Sequence, residues 1–265
     1  MDNGAAGSIN RDVKQQPSVV SERMVLRPLM AKDVRVVQRL ARSHKVADMT
    51  HWLFLPHSEE KALRWIDFTA KNFDRLSSVE FAIQLKYGGR MVGLIGLDHM
   101  NPQDSVAELW YMIVPSCWGK GYATEAARAA IRFGFEDLGL NRIWSYHMVR
   151  NPASGRVLAK AGMKREGLLR QHVRKNEVFE DVVARGLLRE DWVKLSQPNT
   201  TTDGHRCTRI RITRDKPPNA TSKPPQSLLI ARGLRPQSHL KATSKPPESH
   251  LHATLKLPQS HPPAS

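Results

Sequence analysis

A glycine-containing turn directly after an apolar strand is the part of the sequence best suited to chemistry. The strand covers 106–114, and the turn reads Trp118-Gly-Lys-Gly-Tyr122. Gly119 and Gly121 allow the main chain to approach a ligand closely and to adopt positive φ angles. The helix predicted after them offers free N–H groups and the positive end of its dipole, and Lys120 adds a charge. The pattern predicts a site for a phosphate or a pyrophosphate.

Two common phosphate-binding motifs do not fit this turn. A nucleoside triphosphate loop needs Gly-x-x-x-x-Gly-Lys-Ser/Thr, and that spacing is missing. A dinucleotide fingerprint needs Gly or Ala where Thr124 stands, and an acid ending the next strand, where the sequence is Ser145-Tyr-His-Met. A lone Gly-x-Gly also suits a plain tight turn, so this feature alone leaves that alternative open.

Other segments accompany the turn in a fixed order along the chain. They are Ser21-Glu-Arg-Met-Val-Leu-Arg-Pro-Leu29, Asn151-Pro-Ala-Ser-Gly-Arg-Val-Leu-Ala-Lys-Ala-Gly-Met-Lys-Arg-Glu-Gly167, and the stretch 181–192. With the turn, they resemble the GNAT superfamily of acyl-CoA N-acetyltransferases, and more closely its RimJ/RimL-like branch of ribosomal-protein N-terminal acetyltransferases. The resemblance covers 21–193. It implies an acyltransferase that uses acetyl-CoA as co-substrate, with a twisted, mixed, mostly antiparallel sheet flanked by helices.

The resemblance also implies which residues hold the co-substrate. In the family, the strand before the turn splays from its neighbour and binds the pantetheine arm through its backbone, and the turn and helix start hold the pyrophosphate. The residues at these positions are Tyr111, Met112, Ile113 and Val114 on the strand and Trp118, Gly119, Lys120, Gly121, Tyr122, Ala123 and Thr124 in the turn. Asn151 typically contacts the pantetheine, and Arg156 or Lys160 is placed to reach the adenosine phosphates. Ser116 stands where the family usually has Gln or Arg, so phosphate binding depends more on the backbone and Lys120.

Acetyl transfer to an amine needs a neutral nucleophile, a polarised thioester carbonyl and a proton for the departing thiolate. Because an ammonium has no lone pair, a base must act directly or through water. Glu108, early on the strand, is the candidate base, and the alternative is a cross-strand surface charge. N–H groups near Met112 and Ile113 are candidates for stabilising the oxyanion.

Ser154 is the candidate acid. Many relatives carry a tyrosine seven residues after the asparagine, a position that Leu158 occupies here. The branch that this sequence resembles often lacks that tyrosine, and the serine is then the expected partner of the thiolate. Ser154 could equally cap the helix predicted over 153–161, and one hydroxyl could do both.

Cysteine and histidine chemistry is less favoured. A covalent acyl-enzyme at Cys117 is disfavoured, because no histidine stands where pairing is suggested and the resemblance implies direct transfer in a ternary complex. The eleven histidines form no ligand spacing on a helix, so no metal is predicted. His51, Trp52, Phe54 and His57 lie in the loop that lines the acceptor pocket in relatives, and they are candidates for acceptor choice.

Hydrophobic periodicity predicts the elements that position these residues. The predicted helices are 31–43, one that begins at Ser58, 122–138 and 153–161; the predicted strands are 24–29, 81–87, 91–99, 106–114, 142–149, 163–169 and 178–188. This order predicts an α+β (α/β mixed) fold with a partly antiparallel sheet rather than regular βαβ repeats.

Charge and aromatic content divide the chain. All seven Phe, six Trp and four Tyr residues lie at or before Trp192. Residues 196–265 carry 11 basic and 3 acidic residues, half of the net charge of +16, and cannot bury enough apolar surface to offset their ordering entropy. We predict a flexible lead over 1–20, a GNAT domain over 21–195 and a disordered Pro/Ser/Lys/His-rich basic tail over 196–265.

The sequence has no long apolar segment and only two cysteines, which bears on its compartment and on disulfides. No apolar run approaches the ~18–20 residues of a membrane-spanning helix, and the first twenty residues have no secretory apolar core. A cytoplasmic protein without a membrane partner is therefore expected. Cys117 and Cys207 could form at most one disulfide.

The expected acceptor is a primary amine, either a small molecule or a protein N-terminus such as that of a ribosome-associated protein. A domain at net +8 disfavours polyamines, which would need an acidic pocket, and suits an acceptor on an RNA-bearing particle. The alternative function is a weak or vestigial GNAT domain that serves as an adaptor, whose cationic tail contacts RNA or an acidic partner. The tail could also be an unselected extension, and either a monomer or a homodimer is expected.

Overall fold

The computed structural model describes residues 15–50 and 55–196. Most of the predicted lead, the predicted tail beyond Ser196, and the candidate residues His51, Trp52, Phe54 and Cys207 lie outside the described residues. The strands are β1 (Val19–Val20), β2 (Met24–Pro28), β3 (Val79–Leu85), β4 (Met91–Asn101), β5 (Val106–Ile113), β6 (Arg142–Met148), β7 (Lys164–Lys175) and β8 (Val178–Leu188). The helices are α1 (Val34–Ala41), α2 (His44–Met49), α3 (Glu59–Asp74), α4 (Tyr122–Glu136), α5 (Pro152–Lys160) and α6 (Arg189–Ser196).

The described strands form one sheet in the order β1-β2-β3-β4-β5-β6-β8-β7. Neighbouring strands are antiparallel except β5 and β6, which are parallel. The predicted mixed, mostly antiparallel sheet flanked by helices is therefore confirmed.

Helices cover both faces of the sheet because successive side chains on each strand point to opposite sides. On one face, α1 and α3 bury Leu40 and Ile66 in a cluster with Leu94 and Trp110. On the other face α4 packs against the sheet, and the ring of its Phe133 meets that of Phe81 edge-on at 5.5 Å.

The sheet divides between β5 and β6. Their parallel pairing consists of Val106 with Arg142, Ala107 with Ile143 and Glu108 with Trp144, and ends there. Strand β6 continues to pair with β8 as far as Met148, whereas β5 continues to pair with β4 as far as Ile113. The two strands thus separate after Glu108, and a gap opens between their second halves.

The structure contains elements that periodicity did not predict. Helix α2 follows the break after α1. Its N-cap is Ser43, whose hydroxyl accepts a hydrogen bond from the Val46 N–H at 3.3 Å. Strand β1 lies inside the predicted lead and is only two residues long. Strand β7 runs on to Lys175 through an irregularity at Gln171, where φ is 50°. Its second half is rich in charged residues because most of this edge strand is exposed, so no alternating pattern is required.

Helix α6 packs against α4 and against the segment that precedes β6. Its Trp192 ring lies 5.5 Å from that of Phe135 on α4, and the Arg189 N–H donates to the Asn141 carbonyl at 2.8 Å. These contacts make the segment up to Ser196 part of the packed structure, one residue beyond the proposed boundary at 195.

Candidate active site

A cleft of about 590 Å³ occupies the gap between β5 and β6. Its walls are the second half of β5, the glycine turn with the first turn of α4, the second half of β6, the start of α5 and the end of α2. The predicted site residues all line this cleft except Val114, which is buried in the cluster under α1 and α3, and Lys120. His57 contributes a main-chain carbonyl that accepts hydrogen bonds from Gln38 and Arg42, and it is not part of the lining.

The glycine turn has the geometry of an anion cradle. Gly119 and Gly121 have φ angles of 76° and 78°, in the left-handed region that favours glycine. Gly121 precedes α4 directly, so the first N–H groups of this fifteen-residue helix have no partner within the helix. A Cβ at Gly119 would meet no heavy atom within 4 Å. With Arg156 and Lys160 also on the cleft wall, the donor set fits a diphosphate with further phosphates beyond it.

The backbone of β5 is open toward the gap. The Val114 N–H donates to the Val92 carbonyl at 2.8 Å, on the β4 side. Because N–H directions alternate along a strand, the N–H groups of Tyr111 and Ile113 point to the gap, whereas that of Met112 points to β4. Ile113 rather than Met112 is therefore placed to stabilise an oxyanion. The Ile113 carbonyl also faces the gap, where it accepts a hydrogen bond from the Trp118 indole at 2.7 Å.

Glu108 lies where the two strands part, opposite Asp98 on β4 and Trp144 on β6. It is only 7% exposed, so the alternative of a surface charge is wrong. Burial, and secondarily the nearby Asp98 carboxylate, raises the pKa of Glu108 to about 7. His99 Nε2 is 3.8 Å from its carboxylate, too far for a hydrogen bond. A carboxylate of this kind can accept a proton at neutral pH.

Ser154 and Tyr111 bring two hydroxyl groups together across the cleft. Their oxygens lie 2.7 Å apart, and the Tyr111 hydroxyl is also 3.2 Å from the Ser154 carbonyl. Burial raises the pKa of Tyr111 above its ordinary value despite the hydrogen bond to Ser154, so the phenol stays protonated at neutral pH. One of the two hydroxyls can donate its proton into the cleft while the other remains hydrogen-bonded to it.

Asn151 takes the capping role that was the alternative for Ser154. Its side-chain oxygen accepts a hydrogen bond from the Ser154 N–H at 3.2 Å, and Pro152 follows as the first residue of α5. Because Asn151 caps this helix, the Ser154 hydroxyl remains available to the cleft.

The end of α2 forms a wall that sequence reasoning missed. The Asn151 amide donates to the Met49 carbonyl at 2.9 Å, and Arg150 pairs with Asp48 at 3.1 Å. The Lys175 ammonium donates to the carbonyls of Ala47 and Thr50. These contacts come from β7 and from the segment between β6 and α5, and only Ser43 as a helix cap signalled the helix in the sequence.

Strand β6 contributes further residues that were not predicted. The rings of Trp144 and Tyr146 stack with centroids 6.0 Å apart, and Tyr146 meets His172 edge-on. His147 lines the cleft, and burial lowers its pKa, so its imidazole is neutral at pH 7. A Cβ at Gly155 would lie 2.6 Å from its Nε2, so the glycine allows α5 to pack this closely.

Cys117 is buried at the edge of the cleft as a free thiol. Its recorded contacts are the Arg90 guanidinium at 3.6 Å and the Ser116 hydroxyl at 3.9 Å. Neither group is a general base of the kind that activates a thiol nucleophile.

Residues 15–50 and 55–196 contain neither a metal-ligand cluster nor a membrane-spanning helix. In them no group of three or more His, Cys, Asp or Glu side chains could hold a metal ion. No helix there is both long and apolar enough to span a bilayer.

Comparisons with known proteins point to one family of acetyltransferases. Residues 23–164 match the family model described as an acetyltransferase (GNAT) domain. The chain is 29% identical to "Putative ribosomal N-acetyltransferase YdaF" of Bacillus subtilis, covering 65% of this chain and 95% of the relative. It is 31% identical to spermidine N(1)-acetyltransferase of Escherichia coli K12, covering 54% and 74%. The crystal structure of a GNAT-family acetyltransferase from Bacillus anthracis superposes with a TM-score of 0.58 at 25% identity, covering 65% of this chain and 99% of that one.

Gly121→Glu tests the cradle, and Gly88→Glu is its matched control. Both glycines have positive φ, 78° and 72°, and nothing lies within 4 Å of a Cβ at Gly88, in the turn between β3 and β4. We expect Gly121→Glu to abolish CoA binding measured by calorimetry, because a carboxylate enters an anion site. Gly88→Glu should bear a similar backbone strain, about 1–2 kcal/mol, and bind CoA normally. Normal binding by Gly121→Glu would contradict the assignment.

Proposed function

This chain belongs to the GNAT acetyltransferase family, and we propose that it moves the acetyl group of acetyl-CoA directly onto a primary amine inside the cleft. The observation that carries the proposal is the placement of three groups along one gap: an anion cradle, a buried carboxylate with a pKa of about 7, and a pair of hydroxyls. Acetyl-CoA supplies the thioester, and residues of this chain bind it, orient it and move protons.

Binding uses three groups of residues on the cleft wall. The first turn of α4 with Gly119 and Gly121 receives the pyrophosphate, and Arg156 and Lys160 are placed for the adenosine phosphates. The open backbone of β5 between Tyr111 and Ile113 pairs with the amides of the pantetheine arm. Asn151, already hydrogen-bonded to Met49 and Ser154, fixes the wall opposite this strand.

Proton transfer is divided between two sites. Glu108 accepts a proton from the acceptor ammonium, which frees the nitrogen lone pair for attack on the carbonyl carbon. The Ile113 N–H stabilises the charge that develops on the carbonyl oxygen. As the tetrahedral intermediate collapses, its nitrogen loses a second proton to water, and Ser154 gives its proton to the departing sulfur and recovers one from Tyr111 or from water.

The local charge of the site bears on the acceptor. Glu108 and Asp98 face one another on adjacent strands, so the base region is acidic although the domain carries net +8. The argument against polyamines from net charge therefore does not apply at the site. The relatives named for ribosomal acetylation and for spermidine define two acceptor types to compare.

An acceptor screen tests the activity itself. Full-length protein with acetyl-CoA should release free thiol when supplied with at least one member of a panel that includes spermidine, peptides with free N-termini and small amines. Mass spectrometry should find the product 42 Da heavier, the mass that replacement of a hydrogen by an acetyl group adds. If no amine stimulates thiol release and neither acetyl-CoA nor CoA raises the melting temperature at millimolar concentration, the proposed activity is wrong.

The pH profile tests Glu108. Because a base must be ionised to accept a proton, kcat/KM should rise with pH through about 7 and then level off. Glu108→Gln should lower kcat by roughly 10²- to 10³-fold, remove this limb and leave CoA binding intact. Glu80→Gln is the matched control, because burial also raises the pKa of Glu80 to about 7 but Glu80 does not line the cleft. Loss of the limb in Glu80→Gln rather than in Glu108→Gln would refute the assignment.

Ser154→Ala tests the acid. It removes the proposed proton donor and should lower kcat by roughly 10- to 100-fold without raising the KM for acetyl-CoA. Tyr111→Phe removes the hydroxyl that contacts the Ser154 hydroxyl at 2.7 Å and the Ser154 carbonyl at 3.2 Å but keeps the proposed donor, and should cost less. A larger loss in Tyr111→Phe than in Ser154→Ala would instead assign the proton donor to the tyrosine.

A further inference from the structure

Helix α4 carries a carboxylate close to the anion cradle. Glu125 lies in its first turn, four residues after Gly121, and its N–H donates to the Gly121 carbonyl at 3.1 Å. An uncompensated negative charge here would repel a pyrophosphate bound to the same turn. A phosphate site with this residue therefore needs a cation that neutralises it.

Three donors from the turn between β1 and β2 occupy this carboxylate. The Ser21 hydroxyl donates at 2.8 Å, and the Arg23 N–H and its guanidinium Nε each donate at 2.7 Å. Burial alone would raise the pKa of Glu125, but the hydrogen bonds and charge of Arg23, with help from Ser21, hold it below its usual value. Glu125 is therefore ionised at neutral pH, and both of its carboxylate oxygens accept hydrogen bonds.

The same arginine reaches past Glu125 to the glycine turn. Its Nη1 donates to the Lys120 carbonyl at 3.1 Å, and its guanidinium carbon lies 5.0 Å from the centre of the Tyr122 ring. Its Nη2 is 3.4 Å from the position that a Cβ on Gly121 would occupy. One side chain thus contacts the turn on both sides of its second glycine and also the helix that follows.

We propose that Arg23 is a positioning residue for CoA binding, which holds the glycine turn in its pyrophosphate-binding conformation and neutralises Glu125. This inference rests on the proposed function. Arg23 is not part of the cleft lining and acts through the turn, so its effect should be confined to ligands that carry the pyrophosphate.

The strands do not need the Arg23 side chain for their own pairing. The turn between β1 and β2 is closed by the hydrogen bond from the Ser21 N–H to the Met24 carbonyl, and the Arg23 carbonyl accepts from the Lys86 N–H. The Arg23 side chain is 46% exposed, so its removal leaves little buried space. A variant at this position should therefore fold.

A comparison of two thioester substrates distinguishes a role of Arg23 in positioning the glycine turn from a general effect of Arg23 on the structure. Acetyl-CoA carries the pyrophosphate, whereas S-acetylpantetheine carries only the arm and the thioester. In full-length protein, Arg23→Ala should raise the KM for acetyl-CoA and the calorimetric Kd for CoA by about five- to tenfold, and change kcat by less than about twofold. It should leave kcat/KM for S-acetylpantetheine unchanged.

Two further variants complete the comparison. Arg23→Lys keeps the charge but cannot contact Glu125 and the Lys120 carbonyl together, so its Kd for CoA should be intermediate. Arg64→Ala is the matched control, since it removes an exposed Arg–Glu pair within α3, remote in sequence from the turn, and should bind CoA like the wild type.

The outcomes distinguish this inference from the proposed function. Failure of the wild-type protein to bind CoA would overturn both. Wild-type binding with an unchanged Kd in Arg23→Ala would overturn the role of Arg23 alone. An equal loss of kcat/KM for both thioesters in the Ala and Lys variants would also overturn it, because the effect would then not act through the pyrophosphate.

Discussion

Beyond Glu108, the backbone of β5 has a strand partner on one side only. Strand β4 pairs with it to Ile113, while β6 turns away with β8. Main-chain N–H and C=O groups need hydrogen-bond partners in a protein interior, so an open strand edge inside the sheet is stable only if water, side chains or a ligand occupy it. The Trp118 indole already uses the Ile113 carbonyl. An extended ligand with amide groups, as in a pantetheine arm, can complete the edge as an added strand would.

The same division separates the two groups proposed to transfer protons. Glu108 shares its face of β5 with Trp110 and Met112, under α1 and α3, whereas Tyr111 and Ser154 are on the side of α4 and α5. Because successive side chains alternate, Glu108 and Tyr111, three residues apart on one strand, reach the gap from opposite faces, and Ser154 lies on the side of Tyr111. In the proposed mechanism, an amine therefore approaches from one side of the sheet while the thiol departs on the other. This arrangement suits direct transfer and needs no covalent intermediate on Cys117.

Local sequence carried enough information for the strand and the glycine turn, because each depends on neighbours within a few residues, whereas the family resemblance singled out Asn151 and Ser154. The roles of Tyr111 and Arg23 could not be predicted in this way. The hydroxyl of Tyr111 meets a residue 43 positions away, and Arg23 meets Glu125 across 102 positions. Leu158 occupies the position where many relatives have a tyrosine. The fold brings a different tyrosine, Tyr111, beside Ser154. Helix α2 was missed for a related reason: it is six residues long, and long-range contacts from Lys175 and Asn151 hold its end.

Net charge was a poor guide to the site because the two substrates of an acetyl transfer have opposite signs. The end of the cleft near α4 and α5 presents free N–H groups with Arg156 and Lys160, which suits a polyanion. Where β5 and β6 part, Glu108 and Asp98 provide carboxylates that suit an ammonium. A total of +16 averages over both ends and over a segment outside the described residues. The two ends of the gap thus differ in local charge, and we expect specificity for each substrate to depend on where its charge lies along the gap.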